Sequence, residues 1–258
     1  MELGTIVEGV KVITSEVSKE AIENNLLIEY SIDEIKSNIE KDLMNMRLDE
    51  IDNIDFNPTE DDIKKNKYLF ESLKEAEKNP EIRRAILNSL ESNCKLKGDT
   101  GEYFASKNLE KIGKFNRSIP YEIGDRKNII DFVCSEGLNK NESFNALRVS
   151  EDGLNIINER VYLPKGKSLA VEIKNGMSEI NSRKHLKEQL EAGKSLCDRS
   201  FLGINKGMAT EMINNPEKYI NAINDLKTKA DEIVILMPDV ETQIAKMGGV
   251  DLSGYNFY

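Results

Sequence analysis

The spacing of apolar residues divides the chain into a helical front and a mixed rear. In the front, apolar residues recur at steps of three and four between residues 32 and 46, which is one face of a helix. Capping-box pairs precede two such stripes, Ser31 with Glu34 and Thr59 with Asp62. The pattern predicts a short strand over residues 5–14 and helices through residues 15–93.

From residue 95 the pattern changes to short strands that alternate with helices. The segment KLKGDTG over residues 95–101 is interpreted as a polar loop, with Asp99 capping a helix from about Gly101 to Ile112. Asp152-Gly153 predicts a tight turn, and therefore a hairpin over residues 143–163. The other predicted elements are strands over 118–123, 128–135, 168–174, 200–204 and 232–237, helices over 181–196 and 216–229, and a tail over 238–258 without assigned structure. Such alternation is typical of an α/β domain, so we predict a helical region over residues 1–94 and an α/β domain over residues 95–258.

The acidic charge of the chain is concentrated in the front. Residues 1–60 contain five basic and fifteen acidic residues, against 36 and 46 in the whole chain, so they account for the net charge of −10. The remainder is neutral on average and has room for basic patches that bind nucleic acid. The acidic helices could bind a protein partner, mediate self-association or cover a nucleic-acid groove by imitating phosphate charge, or they could simply be a solvated support.

Several classes of site are excluded by composition. A single histidine, His185, excludes zinc and di-iron centres that need two or more histidines. Three widely spaced cysteines give neither a disulfide framework nor a zinc-ligand pattern. The longest aliphatic run, over residues 233–237, is far shorter than the roughly 20 residues of a membrane span. The first residues, MELGTIVEGV, lack a secretory signal pattern, so we expect a cytoplasmic location, or delivery into a cytoplasm if this is a toxin domain.

The chemistry is predicted at two acidic residues in apolar strands. Asp131 interrupts the run IIDFV, and Glu172 and Lys174 lie two residues apart in LAVEIK, so they share one face of a strand. If the two strands are neighbours, both carboxylates and the Ile173 carbonyl form an all-oxygen site that suits Mg²⁺ or Mn²⁺. The metal would activate water and polarise a phosphodiester, and Lys174 would orient that water or stabilise charge at the phosphate. The plainer interpretation is a buried ion pair with Lys174.

The order of helix, strand, Asp-bearing strand, Glu-x-Lys strand and helix resembles the PD-(D/E)XK nuclease superfamily over about residues 95–237. Asp131 matches the family's aspartate, and Glu172-Ile173-Lys174 matches its E-x-K. The resemblance implies a restriction-endonuclease-like core, a mixed central sheet flanked by helices. It also implies that Glu102 is the added glutamate of the preceding helix and Gln189 the glutamine of the following one. One departure is the gap of 41 positions between Asp131 and Glu172, which requires the hairpin to be an insertion.

The helix after the E-x-K supplies candidates for substrate binding. His185 precedes Gln189 by four residues and lies on the same face. Arg183, Lys184 and Lys187 could hold phosphates. A lone histidine is more often structural, a basic helix face is usually just solvated, and Glu102 could serve only a capping box with Asp99.

The expected function is a metal-dependent nuclease, a hydrolase acting as an endonuclease, with DNA favoured over RNA on family frequency alone. One alternative is a toxin-type nuclease that cuts transfer RNA. Others are a non-catalytic binding module on the same fold and an interaction protein whose acidic helices bind a partner.

Overall fold

A computed structural model describes residues 51–75, 79–90, 92–123, 126–181 and 183–248. These residues form a mixed seven-stranded sheet flanked by helices, which confirms the α/β class. The helices are α1 Glu60–Lys65, α2 Lys67–Glu75, α3 Pro80–Asn88, α4 Cys94–Leu109, α5 Met177–Asn181, α6 Arg183–Leu196, α7 Lys206–Asn214, α8 Pro216–Lys227 and α9 Val240–Gly248. The strands are β1 Asn116–Ile123, β2 Arg126–Cys134, β3 Glu142–Val149, β4 Ile156–Leu163, β5 Leu169–Lys174, β6 Arg199–Asn205 and β7 Glu232–Met237. Within the described ranges, no helix has the length and apolar character that a membrane span requires.

The strands lie in the order β1-β2-β5-β6-β7-β3-β4. β2 is antiparallel to both β1 and β5, the strands β5, β6 and β7 run parallel, and β3 returns antiparallel to β7. Phe132 pairs with Val171, so the same register carried one step further sets Asp131 opposite Glu172. The two strands that carry the acidic residues are therefore neighbours.

The predicted hairpin is present as β3 and β4, which pair antiparallel along their whole length. It joins the central sheet beside β7, on the side away from β2. The residues between Asp131 and Glu172 thus include a hairpin at the far side of the sheet, and β2 and β5 remain adjacent.

The two faces of the sheet carry separate hydrophobic clusters. Along β5, Val171 and Ile173 belong to the cluster that contains residues of α1 to α4 and α9, whereas Ala170 packs towards α6. The cluster formed with α6 to α8 includes Leu202 and Ile235. Successive side chains of a strand point to opposite faces of the sheet, and helices cover both faces. Neighbouring residues of β5 therefore enter different clusters.

The helices before residue 94 share the core of the sheet. Phe56, Phe70 and Leu73 are buried in the same cluster as Tyr103 and Phe104 of α4. Thr59 and Asp62 form the predicted capping box at the start of α1. The strand predicted over residues 5–14 and the helix begun at Ser31 lie outside the described residues, and the domain boundary at residue 94 stays a prediction.

The interpretation of residues 95–101 as a loop is wrong. Asn93 caps α4 by accepting a hydrogen bond from the Leu96 N–H at 3.0 Å, so the helix already begins at Cys94. Asp99 lies inside α4 and is not its cap; one of its carboxylate oxygens accepts the Leu69 N–H at 3.2 Å. Glu102 therefore has no capping box with Asp99. Gly101 resembles a loop residue in the sequence, but a Cβ there would stand 2.7 Å from the Asn175 Cβ, so the glycine permits close packing.

Two nine-residue helices at the ends of strands were not predicted, and neither was the five-residue α5 after β5. Asn205 ends β6 and caps α7, accepting the Met208 N–H at 2.8 Å. Asp239 follows β7 and accepts the Thr242 N–H at 2.7 Å, so the tail contains α9. Each helix has nine residues, which is too short for apolar periodicity to stand out.

Candidate active site

The structure brings Asp131 together with the E-x-K segment. Asp131 Oδ2 accepts a hydrogen bond from the Ile173 N–H at 2.8 Å. Glu172 is 2% exposed, and its Oε1 accepts a hydrogen bond from Lys174 Nζ at 2.6 Å. The carboxylates of neighbouring strands and one lysine thus meet at the seam between β2 and β5.

Glu172 has one oxygen without a partner. Its Oε2 is buried and forms no hydrogen bond in the described part of the chain, although the Asp131 backbone lies near enough to favour the charged carboxylate and to oppose the rise of its pKa. Leaving a buried carboxylate oxygen unpaired is costly, because the oxygen has lost water and gained nothing in return. Among the described residues, the site therefore lacks a cation or hydrogen-bond donor at Glu172 Oε2, the oxygen that is not paired with Lys174.

The raised pKa values of the carboxyl groups are consistent with the same shortage of positive charge. Burial raises the pKa of Asp131 to about 8, with a further rise from the charge of Glu172 and opposition from Lys174. Burial also raises the pKa of Glu172, and Lys174 again opposes the shift. Burial and the charge of Asp131 raise the pKa of Glu102 to about 7. Carboxyl groups crowded in this way favour a cation between them.

Glu102 lies on α4 and is held by a residue that the sequence did not single out. Arg117 of β1 donates from Nη2 to Glu102 Oε2 at 3.1 Å. Arg117 carries no pattern of its own in the sequence, and the predicted strand began one residue later, at Ser118. Among the described residues, no three or more His, Cys, Asp or Glu side chains are arranged to hold a metal ion. The carboxylates that the structure brings together at the seam are those of Asp131 and Glu172.

Gln189 lies on the face of α6 that covers β2. It is 7% exposed and donates from Nε2 to the Ile129 carbonyl at 3.0 Å, while its Oε1 is buried without a partner. The hydroxyl of Tyr121 on β1 is also buried and unpartnered. Burial raises the pKa of Tyr121 to about 12, and the charge of Glu172 contributes, so this hydroxyl stays protonated.

The predicted substrate-binding residues of α6 have different surroundings. Lys184 and His185 are exposed. Lys187 pairs with Asp225 of α8 at 2.8 Å. Arg183 begins α6, and its side chain lies outside the described residues.

A cleft of about 450 Å³ opens at the carboxyl ends of β5, β6 and β7. Its lining includes Lys97, Asn175, Asn205 and Asp239. Lys97 packs closely on Gly176, where a Cβ would stand 2.7 Å from its Nζ. The cleft therefore begins at the residue that directly follows Lys174 in the chain.

Comparison of the chain with protein-family models, with curated proteins and with solved structures gave no match. Function must accordingly be inferred from the residues and contacts described above. They offer two adjacent carboxylates in apolar strands, one lysine and one buried oxygen that lacks a partner.

Proposed function

We propose that the protein is a divalent-metal-dependent nuclease of the PD-(D/E)XK type. The observation that carries the proposal is Glu172: one buried oxygen is paired with Lys174, and the other has no partner although it lies beside Asp131. A buried ion pair with Lys174 accounts for the first oxygen, and the second has only the Asp131 backbone near it, with no hydrogen bond formed. The chain order α4, β1, β2, β5, α6 supports the resemblance, since it joins the Asp-bearing and E-x-K strands side by side.

The donors present fit Mg²⁺ or Mn²⁺. Both ions prefer oxygen ligands, and Asp131, Glu172 and the Ile173 carbonyl would supply them. The unpaired Glu172 Oε2 is the atom of this structure that such an ion would satisfy. Bound there, the cation would supply Lewis-acid stabilisation of the scissile phosphate and a lowered pKa for water.

The remaining residues take their roles from position and charge. Lys174, whose ammonium lies 2.6 Å from Glu172 Oε1, orients the attacking water and offsets charge that develops on the phosphate. Glu102 adds a third carboxylate within electrostatic reach of Asp131. Gln189 contacts the substrate through its unpartnered Oε1, with His185 as the second candidate for such a contact. We expect direct attack by water without a covalent enzyme intermediate, because no activated nucleophile accompanies these groups.

The proposed substrate is nucleic acid, with DNA favoured over RNA. The backbone would pass the cleft at the ends of β5 to β7, where Lys97 can contribute positive charge. The exposed Lys184 of α6 would contribute to phosphate binding on the other face of the sheet. A toxin-type enzyme that cuts transfer RNA would use the same catalytic residues.

A cleavage assay tests the proposal directly. Purified wild type and Glu172→Gln are given linear and circular duplex DNA, single-stranded DNA and transfer RNA, with Mg²⁺, Mn²⁺ or EDTA. Glu172→Gln keeps the shape of the side chain and removes its charge. We expect a loss of about 10³-fold in rate, because a metal ligand supplies several kcal/mol of transition-state stabilisation.

Glu159→Gln is the matched control. Glu159 is also a strand glutamate with a cationic neighbour, Arg148 at 3.2 Å, but it lies on β4 at the far edge of the sheet. Wild type and Glu159→Gln should cleave only with metal. Cleavage retained in Glu172→Gln, or no cleavage of any substrate by wild type, would refute the nuclease proposal.

A further inference from the structure

Arg117 lies at the centre of a buried network between β1, α4 and the turn after α1. Its side chain is 5% exposed. Nη2 donates to Glu102 Oε2 at 3.1 Å, and Nη1 donates to Asn66 Oδ1 at 2.9 Å. The guanidinium also lies over the Phe132 ring, 5.1 Å from its centroid. These contacts restrict the guanidinium in three directions.

Asn66 is itself fixed. It is fully buried at the end of α1, where its N–H donates to the Asp62 carbonyl at 2.8 Å. Its Nδ2 donates to the Asp99 carbonyl at 2.9 Å. Since the amide nitrogen is used in that bond, Oδ1 faces Arg117 as an acceptor. The end of α1 thus braces the arginine that holds Glu102.

The backbone of β1 turns Arg117 towards α4. Ser118 has φ of +54°, a left-handed conformation that is uncommon for a residue other than glycine. Pairing with β2 is in register on both sides of it, Arg117 with Phe132 and Ile119 with Ile130. Arg117 lies over Phe132 on the α4 side, whereas Ile119 packs with the cluster on the α6 side. Arg117 and Ile119 therefore point to opposite faces of the sheet, and the change occurs at Ser118. The same register places Ser118 opposite Asp131.

We propose that Arg117 is a positioning residue for Glu102. Braced by Asn66, it holds the Glu102 carboxylate on the α4 side of β2, where Arg117 lies over Phe132, the residue directly after Asp131, and so links the end of α1 to the catalytic centre. This rests on the proposed nuclease function. An ion pair that served stability alone would gain little here, because the Arg117 side chain is 5% exposed and the loss of its hydration offsets most of its attraction to Glu102, which is 26% exposed.

A double-mutant cycle tests the coupling. The variants are Arg117→Met, Glu102→Gln and the two combined, with kcat and KM measured for metal-dependent cleavage. We expect Arg117→Met to lower kcat by up to about 10²-fold with little change in KM, since small displacements of a catalytic group have effects of that size. In the Glu102→Gln background Arg117→Met should lower kcat no further, because its effect acts through Glu102.

Two milder variants and one control keep the test decisive if Arg117→Met folds poorly. Arg117→Lys should recover part of the lost kcat, and Asn66→Ala should reproduce a smaller part of the loss. The control is Lys107→Met, which breaks the 2.5 Å ion pair between Lys107 of α4 and Asp62 of α1 without touching Glu102. It should lower the melting temperature and leave kcat unchanged.

The outcomes separate the two proposals. Wild type that cleaves, with additive effects of Arg117→Met and Glu102→Gln, overturns the positioning role and leaves the nuclease. An equal loss of kcat in Lys107→Met overturns it as well, since general loosening of α4 would then suffice. Wild type that cleaves nothing, whether or not it binds Mg²⁺ by calorimetry, overturns the nuclease proposal, and the positioning role with it.

Discussion

Two groups of charged side chains lie in the same sheet and differ in how their charges are balanced. At the far side, Arg148 of β3 lies 3.2 Å from Glu159 and 3.0 Å from Glu232, and Lys227 is 2.7 Å from Glu232. Each carboxylate has a cation, and the side chains of Arg148 and Glu159 are 40% and 47% exposed. Such pairs contribute little to stability, and the polar atom left over in this one is a donor, Arg148 Nε, which is 3.2 Å from Glu159 and forms no hydrogen bond.

The seam between β2 and β5 is arranged in the opposite way. Carboxylates outnumber the cations, Glu172 is 2% exposed, and one of its oxygens has no partner. Burial raises the pKa of Asp131 to about 8. An acidic residue in a strand is therefore a poor indicator of a site by itself. What distinguishes the seam is buried negative charge in excess of the positive charge around it.

Replacing the lysine in each of the two groups of charged side chains should give the largest difference in kcat between them. Lys174→Met should lower kcat by about 10²–10³-fold, because an ammonium aimed at developing charge is lost. Mg²⁺ binding, measured by calorimetry, should persist, since the proposed ligands Asp131 and Glu172 remain. Lys227→Met, which removes the partner of Glu232 at 2.7 Å, should leave kcat unchanged. Equal losses in both variants would show that the seam has no special role.

The two groups should also differ in their response to pH. Asp131 and Glu102 have pKa values of about 8 and 7 in the folded protein, above the ordinary value near 4. The folded state then holds protons that the unfolded chain has released, so the stability from these groups is present below pH 4. It is lost as the pH rises through 7 to 8. We expect the metal-free protein to melt at a lower temperature at pH 8.5 than at pH 6.

Added Mg²⁺ should reverse that loss, because it replaces the missing positive charge. Its affinity should fall by about tenfold per pH unit below pH 7 for each proton it displaces. Thermal melts with and without Mg²⁺ at the two pH values measure both effects. Glu159→Gln should melt with the same pH dependence as wild type, whereas Asp131→Asn should lose much of it. A larger Mg²⁺ effect at pH 6 than at pH 8.5 would contradict the assignment of the cation to these carboxyl groups.

The parts of the fold that the sequence predicted depend on local pattern. β2, β5 and β7 follow from short apolar runs, whereas the approach of Asp131 to Glu172 was predicted only on the condition that their strands are neighbours. Thr59 and Asp62 form a cap within four residues of sequence. In each case the residues that determine the structure are the ones that display the pattern.

The parts that escaped prediction depend on contacts between distant residues. Arg117 and Asn66 are 51 positions apart, and neither carries a mark of its own in the sequence. The place of β3 and β4 beside β7 is likewise a non-local pairing, which strand periodicity does not specify. Gly101 was mistaken for a loop residue because its partner, Asn175, lies far along the chain, directly after β5.

The two glycines of α4 provide the smallest and most closely matched test. At Gly101 a Cβ would stand 2.7 Å from the Asn175 Cβ, and Asn175 is held in place by 2.9 Å hydrogen bonds to the Lys97 carbonyl and Gln243. At Gly98 nothing lies within 4 Å. Gly98→Ala should therefore raise the free energy of unfolding by up to about 1 kcal/mol through helix propensity. Gly101→Ala should lower it by about 1–3 kcal/mol through overpacking.

The same two variants test whether the packing of α4 affects the carboxyl groups at the seam between β2 and β5. Glu102 follows Gly101 directly, so pushing α4 away from Asn175 should move the Glu102 carboxylate relative to Asp131 and lower kcat. Gly98→Ala leaves that approach intact and should keep wild-type kcat. Urea unfolding and the cleavage assay measure the two effects separately. Gly101→Ala that is as stable and active as Gly98→Ala would show that the close contact of α4 with β5 does not set the position of Glu102. The excess negative charge of the seam would then rest on Asp131 and Glu172 alone.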